Sequence, residues 1–234
     1  MRKLVSSTAL ALALAIASAP TVALADEGGD NGPSVSFSVT GSTNYEWRGV
    51  SQSDNHAAVF ATAQVNYGGF YAGAGTENVD FAGINQEYDL WAGYVLPLGK
   101  DVKLDVGVVR YGYVNAPADI DTQEVKGALS ASVGKLGLTG SVYHTWNYFG
   151  TTADATYYEA SASYPVTDKL GLSGAFGHQT VNGRFNYNTW NLGASYAVIK
   201  GGKIDVRYHD TDDNGALFGN LGKARLVGSF TMAF

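Results

Sequence analysis

Residues 223–234 read KARLVGSFTMAF, and this stretch decides the fold of the chain. Most apolar side chains in it fall at alternate positions with polar ones between them, so one face is apolar and the other polar. An apolar strand that ends on an aromatic residue is typical of the strand that closes a bacterial outer-membrane β-barrel. We therefore predict a barrel, with Phe234 as the assembly signal that the barrel-assembly machinery of the outer membrane recognises.

The first residues of the chain have the three parts of a secretory signal peptide. Arg2 and Lys3 form a basic start, residues 4–19 are mainly apolar, and residues 23–25 (Ala-Leu-Ala) match the small-x-small cleavage site. An uncleaved membrane anchor is the alternative, and the cleavage site argues against it. We expect a signal peptide over residues 1–25, a short periplasmic linker over 26–34 and the outer-membrane barrel over 35–234.

The composition excludes several classes of function. The chain has no cysteine, which excludes disulfides, thiolate chemistry and Cys-ligated metals. Its 15 Lys and Arg residues against 21 Asp and Glu argue against a nucleic-acid partner. The mean hydropathy of −0.06 would suit a soluble protein, but barrels conceal their apolar face in an alternating pattern.

Alternating segments continue along the chain between residues 35 and 234, and we count about twelve. Their connections differ in length, as in outer-membrane barrels. The short connections are 68–69, 97–103, 134–137, 165–169 and 200–203, and the longer polar ones are 48–56, 79–86, 114–123, 148–156, 180–188 and 210–222. The pattern predicts an all-β transmembrane fold, an antiparallel up-and-down β-barrel of about 12 strands with both termini periplasmic.

The polar face of these segments carries too many charges for the dry core of a lipocalin-like barrel or a β-sandwich, so we assign it to a wet lumen. The predicted pore-lining residues are Glu46, Arg48, Glu87, Asp89, Asp105, Lys126, Glu159, Asp205, Arg207 and Arg225, and strict alternation adds Glu77 and Glu124. Eight are acids and four are bases. They either select ions or pair across strands to brace the barrel, and both interpretations stay open.

Three further expectations follow from the alternation. Glu46 should lie close to Arg225, because the first and last strands must pair. Small residues on the polar face, such as Gly73 and Gly93, should leave room for water. Arg110 falls on the apolar face, so either a bulge resets the alternation there or its side chain lies at the level of the outer headgroups.

Aromatic residues cluster near the predicted strand ends, where barrels carry girdles at the two membrane surfaces. The predicted girdle residues are Tyr45, Trp47, Tyr67, Tyr94, Tyr111, Tyr113, Trp146, Tyr148, Tyr164, Trp190 and Tyr208. An aromatic path for sugars along the lumen is the alternative interpretation.

Residues 45–53 read YEWRGVSQS and resemble the Tyr-x-x-Arg-Gly-x-Ser-Gln-Ser stretch at the first loop of the TorF-type porin family. Residues 69–73, 87–94 and 157–159 are similar to later blocks of that family. The resemblance covers almost the whole chain after residue 25. It implies an outer-membrane channel.

No residue pattern predicts catalysis, a metal or a cofactor. The four histidines, His56, His144, His178 and His209, are far apart, and neither His144 nor His178 has the Ser two residues away that barrel lipases use. Residues 210–215 match a calcium loop only in part.

The sequence therefore favours a non-enzymatic porin-like channel in the outer membrane of a Gram-negative bacterium. It would pass small hydrophilic solutes with a mild cation preference, in contact with outer-membrane lipid and lipopolysaccharide. A non-conducting structural or adhesive barrel, or a lipid-facing hydrolase, is the alternative.

Overall fold

A computed structural model describes residues 32–212 and 217–234. The predicted signal peptide and residues 26–31 of the predicted linker lie outside the described residues. The described strands are β1 (Ser34–Ser42), β2 (Glu46–Trp47), β3 (Val50–Ser51), β4 (Ala58–Tyr67), β5 (Phe70–Phe81), β6 (Ile84–Pro97), β7 (Val102–Tyr113), β8 (Thr122–Val133), β9 (Leu136–Thr145), β10 (Ala155–Pro165), β11 (Leu170–Val181), β12 (Phe185–Ile199), β13 (Gly202–Thr211) and β14 (Arg225–Ala233). Two 3₁₀ turns lie at Tyr148–Gly150 and Gly219–Gly222. Within the two described ranges, no helix is both long enough and apolar enough to cross a membrane.

Twelve of the described strands form a closed antiparallel barrel, which confirms the predicted fold. Each strand pairs with its neighbours in sequence, β4 follows β1, and β14 returns to pair with β1. At this seam Ser38 lies opposite Ala233 and Ser42 lies opposite Ser229. The backbone N–H of Phe234 donates to the carbonyl of Phe37 at 2.9 Å, so the last residue completes the pairing of the first strand.

The outer face of the barrel is apolar. On β1, for example, Val35, Phe37 and Val39 are about half exposed, whereas the alternate residues Ser38 and Thr40 are buried inside the barrel. The same arrangement recurs around the barrel, where exposed apolar residues include Val59, Val65, Leu90, Val106, Val108, Leu129, Leu172, Phe176, Leu192, Val206, Leu226 and Phe230. An apolar belt outside a polar interior is the reverse of a soluble barrel and matches a lipid environment.

The two ends of the barrel carry different connections. At one end, here called the turn end, the strands are joined by residues 68–69, 98–101, 134–135, 166–169 and 200–201. At the other, here called the loop end, the connections are 43–57, 82–83, 114–121, 146–154, 182–184 and 212–224. The first residue of β1 and the last residue of β14 both lie at the turn end.

Two connections predicted as long loops, residues 79–86 and 180–188, are tight hairpins, so that part of the prediction is wrong. Strands β5 and β6 continue until Phe81 lies opposite Ile84. Ala82 and Gly83 form the turn between them, both with positive φ, as a two-residue hairpin requires. The polar side chains in both stretches belong to strand ends, which barrels extend beyond the apolar belt.

Arg110 lies on the outer face of β7 near the loop end. The pairing of β7 with β6 and β8 is continuous past this residue, so the bulge alternative is wrong. The Arg110 guanidinium contacts the Asp121 carboxylate at 2.6 Å, in the loop that follows β7. Its charge is therefore paired at the rim of the barrel.

Candidate functional site: a lumen crossed by the first loop

The first loop, residues 43–57, folds into the barrel. We call it the lumen hairpin. Its strands β2 and β3 pair through Glu46 with Ser51 and Trp47 with Val50. Most of its side chains between positions 44 and 53 are buried or nearly so, which is unusual for a loop. The TorF-like motif YEWRGVSQS thus forms a structure inside the lumen rather than an exposed loop.

The tip of the lumen hairpin is the turn Arg48–Gly49, with φ of 50° and 78°. The backbone of the tip packs against the wall formed by β12 and β13. A Cβ at Gly49 would collide with the side chains of Thr189 on β12 and Thr211 on β13. Glycine is needed here both for the backbone conformation and for the close approach.

Arg48 makes the contacts at the far wall. Its Nη2 lies 2.6 Å from Glu124 Oε2, and its Nη1 donates to Gln179 Oε1 at 2.8 Å. Its guanidinium also stacks over the rings of Tyr157 at 4.4 Å and Tyr143 at 5.3 Å. These partners belong to the four consecutive strands β8 to β11, which lie across the barrel from β1 and β4. The hairpin therefore spans the lumen.

The charge of Arg48 is held by its neighbours. Burial by itself lowers the pKa of Arg48, but Glu124, Tyr111 and Tyr157 together more than offset this, and the pKa stays above its ordinary value. Both partners of the pair are almost fully buried. Separating such a pair would leave an uncompensated buried charge, which costs free energy. The contact between Arg48 and Glu124 therefore stabilises the position of the hairpin.

The base of the lumen hairpin is tied to the last strand. Arg225 Nη1 donates to Glu46 Oε1 at 2.8 Å, which confirms the predicted proximity. The proximity does not come from the pairing of the first and last strands, as the sequence predicted, because Glu46 belongs to the hairpin and not to β1. Burial raises the pKa of Glu46 to about 7, against the lowering influence of Arg225. A second contact, from the backbone N–H of Tyr45 to Ser53 Oγ at 3.0 Å, closes the hairpin on itself.

Two more ion pairs lie deeper in the barrel. Lys126 Nζ lies 2.6 Å from Asp105 Oδ2, and the Tyr71 hydroxyl donates to the other oxygen of Asp105 at 2.8 Å. Arg207 lies 3.0 Å from Asp205 and also donates to Ser173 Oγ at 2.8 Å. All four predicted lumen bases thus have an acidic partner. Lys126 with Asp105 is the pair that joins two neighbouring barrel strands, whereas Asp205 and Arg207 both lie on β13.

Four of the predicted lumen acids have no basic partner within the described ranges. Glu159 accepts a hydrogen bond from Tyr157 at 3.0 Å. The other three, Glu77, Glu87 and Asp89, are buried together on β5 and β6, with ligand oxygens within 4.8 Å of one another. We call these three residues the acid cluster. The wall formed by β5 and β6 therefore holds three carboxyl groups that have no basic partner in the described part of the chain.

Several residues predicted for the girdles lie inside the barrel instead. Tyr45, Trp47, Tyr111 and Tyr113 are buried in one cluster around the lumen hairpin. The two on β7 share the face of Asp105, so strict alternation could have placed them inward. Tyr67, Trp146, Tyr164 and Tyr208 are exposed, as girdle residues would be.

The small residues of the lumen accommodate large side chains rather than water. A Cβ at Gly73 would overlap the Trp91 ring, and one at Gly93 would overlap the Tyr71 hydroxyl. Gly177 makes room for Tyr157 in the same way. The expectation that these positions leave space for water is therefore wrong. Because these positions carry no side chain, the aromatic rings beside them can pack against the inner face of the barrel.

The histidines of the outer face make cross-strand contacts. His144 Nδ1 lies 2.9 Å from Thr156 Oγ1, and His178 Nδ1 lies 2.7 Å from Asn188 Oδ1. A separate exposed group at the loop end contains Asp54, His56 and Asp80.

A family described as "Bacterial protein of unknown function (Gcw_chp)" matches residues 26–234 of the chain. The chain belongs to the Gcw_chp family. A search of curated protein sequences gave no match.

Solved structures with a similar fold include two small porins. The KdgM porin aligns with a TM-score of 0.64 at 9% identity, over 85% of this chain and 99% of its own. The NanC porin aligns with a TM-score of 0.61 at 11% identity, over 85% of this chain and 98% of its own. KdgM is also known in complex with disordered oligogalacturonate, in a structure that aligns at 10% identity with a TM-score of 0.61, over 85% of this chain and 99% of its own.

This Gcw_chp member therefore has the fold of small outer-membrane porins. Together with the apolar belt on its outer face, the fold assigns the chain to a bacterial outer membrane, as the sequence predicted. Sequence reasoning missed Tyr143, Tyr157 and Gln179 as partners of Arg48. Alternation could have placed them inward, but only the closed barrel puts them opposite the hairpin tip.

Proposed function

We propose that the chain is a porin-like channel for passive diffusion of small hydrophilic solutes, narrowed by the lumen hairpin. The observation that supports this most is the charged interior of a closed membrane barrel, in which Arg48 crosses the lumen to reach Glu124. Polar groups of this kind are what a water-filled path needs. The resemblance to TorF-type porins supports the same proposal.

The size of the barrel favours small solutes. Twelve strands enclose less space than the roughly 16 to 18 strands of general porins, and the hairpin occupies part of that space. Passage should therefore favour ions and small metabolites over oligosaccharides.

A mild cation preference follows from the unpaired acids. Glu77, Glu87, Asp89 and Glu159 have no basic partner in the described part of the chain, whereas each of the four lumen bases has an acidic one. Negative charge in a narrow pore raises the local concentration of cations, over a distance of about 8 Å at physiological salt. The anionic oligogalacturonate of the KdgM complex would meet repulsion here.

A non-conducting barrel is the second candidate. The fully buried rings of Tyr111, Tyr157 and Tyr187, together with Tyr45 of the hairpin, favour it because they fill the lumen near the loop end. Such a barrel would serve a structural or adhesive role.

Single-channel recording in planar bilayers separates the two candidates. We expect small, discrete conductance steps for the wild-type protein and larger steps for Arg48→Ala, because the hairpin tip is then released from the far wall. Arg184→Ala provides a matched control, since Arg184 is an exposed arginine of the loop at residues 182–184. If the wild-type protein and Arg48→Ala both insert without steps, the channel proposal is wrong.

A further inference from the structure

The acid cluster is a compact arrangement on two neighbouring strands. Glu77 lies directly opposite Glu87, and Asp89 lies opposite Gly75, so all three side chains enter the lumen from one patch of wall. All three are at least 95% buried. Carboxylates this close together repel one another strongly away from water.

No described cation balances this charge. The ion pairs of the structure involve other acids, and one oxygen of each cluster residue (Glu77 Oε1, Glu87 Oε2 and Asp89 Oδ1) is buried with no hydrogen-bond partner within the described ranges. These oxygens keep lone pairs that a cation could take. A proton shared between neighbouring carboxyl groups is the other way to relieve the repulsion, and the metal titration described below distinguishes the two.

A separate element, the lumen hairpin, places a fourth oxygen at the cluster. Tyr45 is 1% exposed, its ring lies beside Glu77, Glu87 and Asp89, and its hydroxyl has no hydrogen-bond partner in the described part of the chain. Burying a hydroxyl without a partner costs free energy. The hydroxyl is close enough to interact with the charges of Glu77, Glu87 and Asp89, so it can supply a further oxygen donor.

We propose that the acid cluster binds a divalent cation of the Ca²⁺ class, with Tyr45 beside it. Calcium takes oxygen ligands at about 2.3–2.6 Å, and two ligands on opposite sides of one ion are then about twice that distance apart. The ligand oxygens of the cluster all lie within 4.8 Å of one another, so they are close enough together to reach one such ion. The ion neutralises the repulsion and links the lumen hairpin to the wall formed by β5 and β6.

This site departs from the sequence expectation of no metal. Its ligands were present in the predicted lumen set, but a search for clustered histidines and for a contiguous calcium loop could not reveal them. The three acids come together only because β5 and β6 pair in this register.

Terbium luminescence tests the proposal. Tb³⁺ substitutes for Ca²⁺, and nearby tyrosines such as Tyr45 and Tyr113 transfer excitation to it. The protein is first refolded in detergent micelles and freed of metal with EDTA. We expect saturable binding of one Tb³⁺ per chain, displaced by Ca²⁺, and an affinity weakened by about tenfold or more in Glu87→Gln or Asp89→Asn, because each removes a charged ligand.

The matched control is the double variant Asp54→Asn with Asp80→Asn, which removes the acids of the exposed group at the loop end. It should bind Tb³⁺ like the wild-type protein. The proposal is wrong if the wild-type protein shows no saturable binding, if the acid-cluster variants bind as tightly as the wild type, or if this control abolishes binding.

A second measurement covers variants that do not refold. The wild-type melting temperature should rise with Ca²⁺ concentration after EDTA treatment, because an ion that binds the folded state stabilises it. No rise would overturn the inference even if every variant failed to fold. Neither measurement involves conduction, so a negative result here leaves the channel proposal intact, and a non-conducting protein could still bind the ion.

Discussion

The carboxylate of Glu124 on β8 lies 2.6 Å from the guanidinium of Arg48, at the tip of a loop that begins on the opposite side of the barrel. Seventy-six residues separate the two in sequence. Both are buried, and Gln179 completes the site with a hydrogen bond of 2.8 Å to the same guanidinium. This pair decides how far the lumen hairpin obstructs the barrel.

Glu124→Gln should destabilise the protein more than the loss of an exposed pair would. The substitution leaves Arg48 buried without a counter-charge, and breaking such a pair costs about 3–5 kcal/mol. Urea-induced unfolding in micelles measures the change. In the double variant Arg48→Met with Glu124→Gln most of the loss should disappear, since no buried charge remains; an additive loss would contradict this interpretation of the pair.

Gly49→Ala should displace the hairpin tip and enlarge the conductance. The added methyl group would collide with Thr189 and Thr211, and φ at this position is +78°. Gly183→Ala separates the two effects, because Gly183 has a similar φ of +68° with open space around it. We expect both variants to lose some stability and only Gly49→Ala to change single-channel steps. Equal steps in the two variants would show that the tip does not obstruct the path.

Glu87→Gln combined with Asp89→Asn should shift the reversal potential toward anions in a salt gradient with EDTA present. The two carboxylates have no basic partner in the described part of the chain, so their removal lowers the negative charge of the lumen. Asp168→Asn, in the turn at residues 166–169, is the control and should leave the potential unchanged. An unchanged potential in the double variant would mean that the path avoids the acid cluster.

Phe234→Asp should reduce the amount of assembled barrel in the outer membrane. The ring of Phe234 is 67% exposed at the seam while its backbone pairs with Phe37, so the ring is available for recognition. Heat-modifiable gel mobility and protease sensitivity measure assembly. Phe234→Tyr keeps an aromatic ring and should assemble normally. Normal assembly of Phe234→Asp would rule out the ring as a signal.

The errors of sequence interpretation had identifiable causes. Residues 79–86 and 180–188 are polar, and polar stretches occur both in loops and in strand ends that extend past the lipid. Tyr111 and Tyr113 lie at a strand end, where the girdle pattern is expected, but their position on β7 turns them inward. For the two polar stretches, only the pairing of neighbouring strands distinguished a loop from a strand end, whereas for the two tyrosines the alternation along β7 would have sufficed.

The sequence by itself determined the barrel, its twelve strands and the face of nearly every strand residue. Alternation is a local property, and lipid outside with polar groups inside imposes it on each strand separately. The tertiary structure alone decided that residues 43–57 enter the lumen, that Arg48 meets Glu124 and Gln179, and that Glu77, Glu87 and Asp89 form one cluster. These contacts depend on strand register and on the closure of the barrel, which bring together side chains that no short segment of sequence relates.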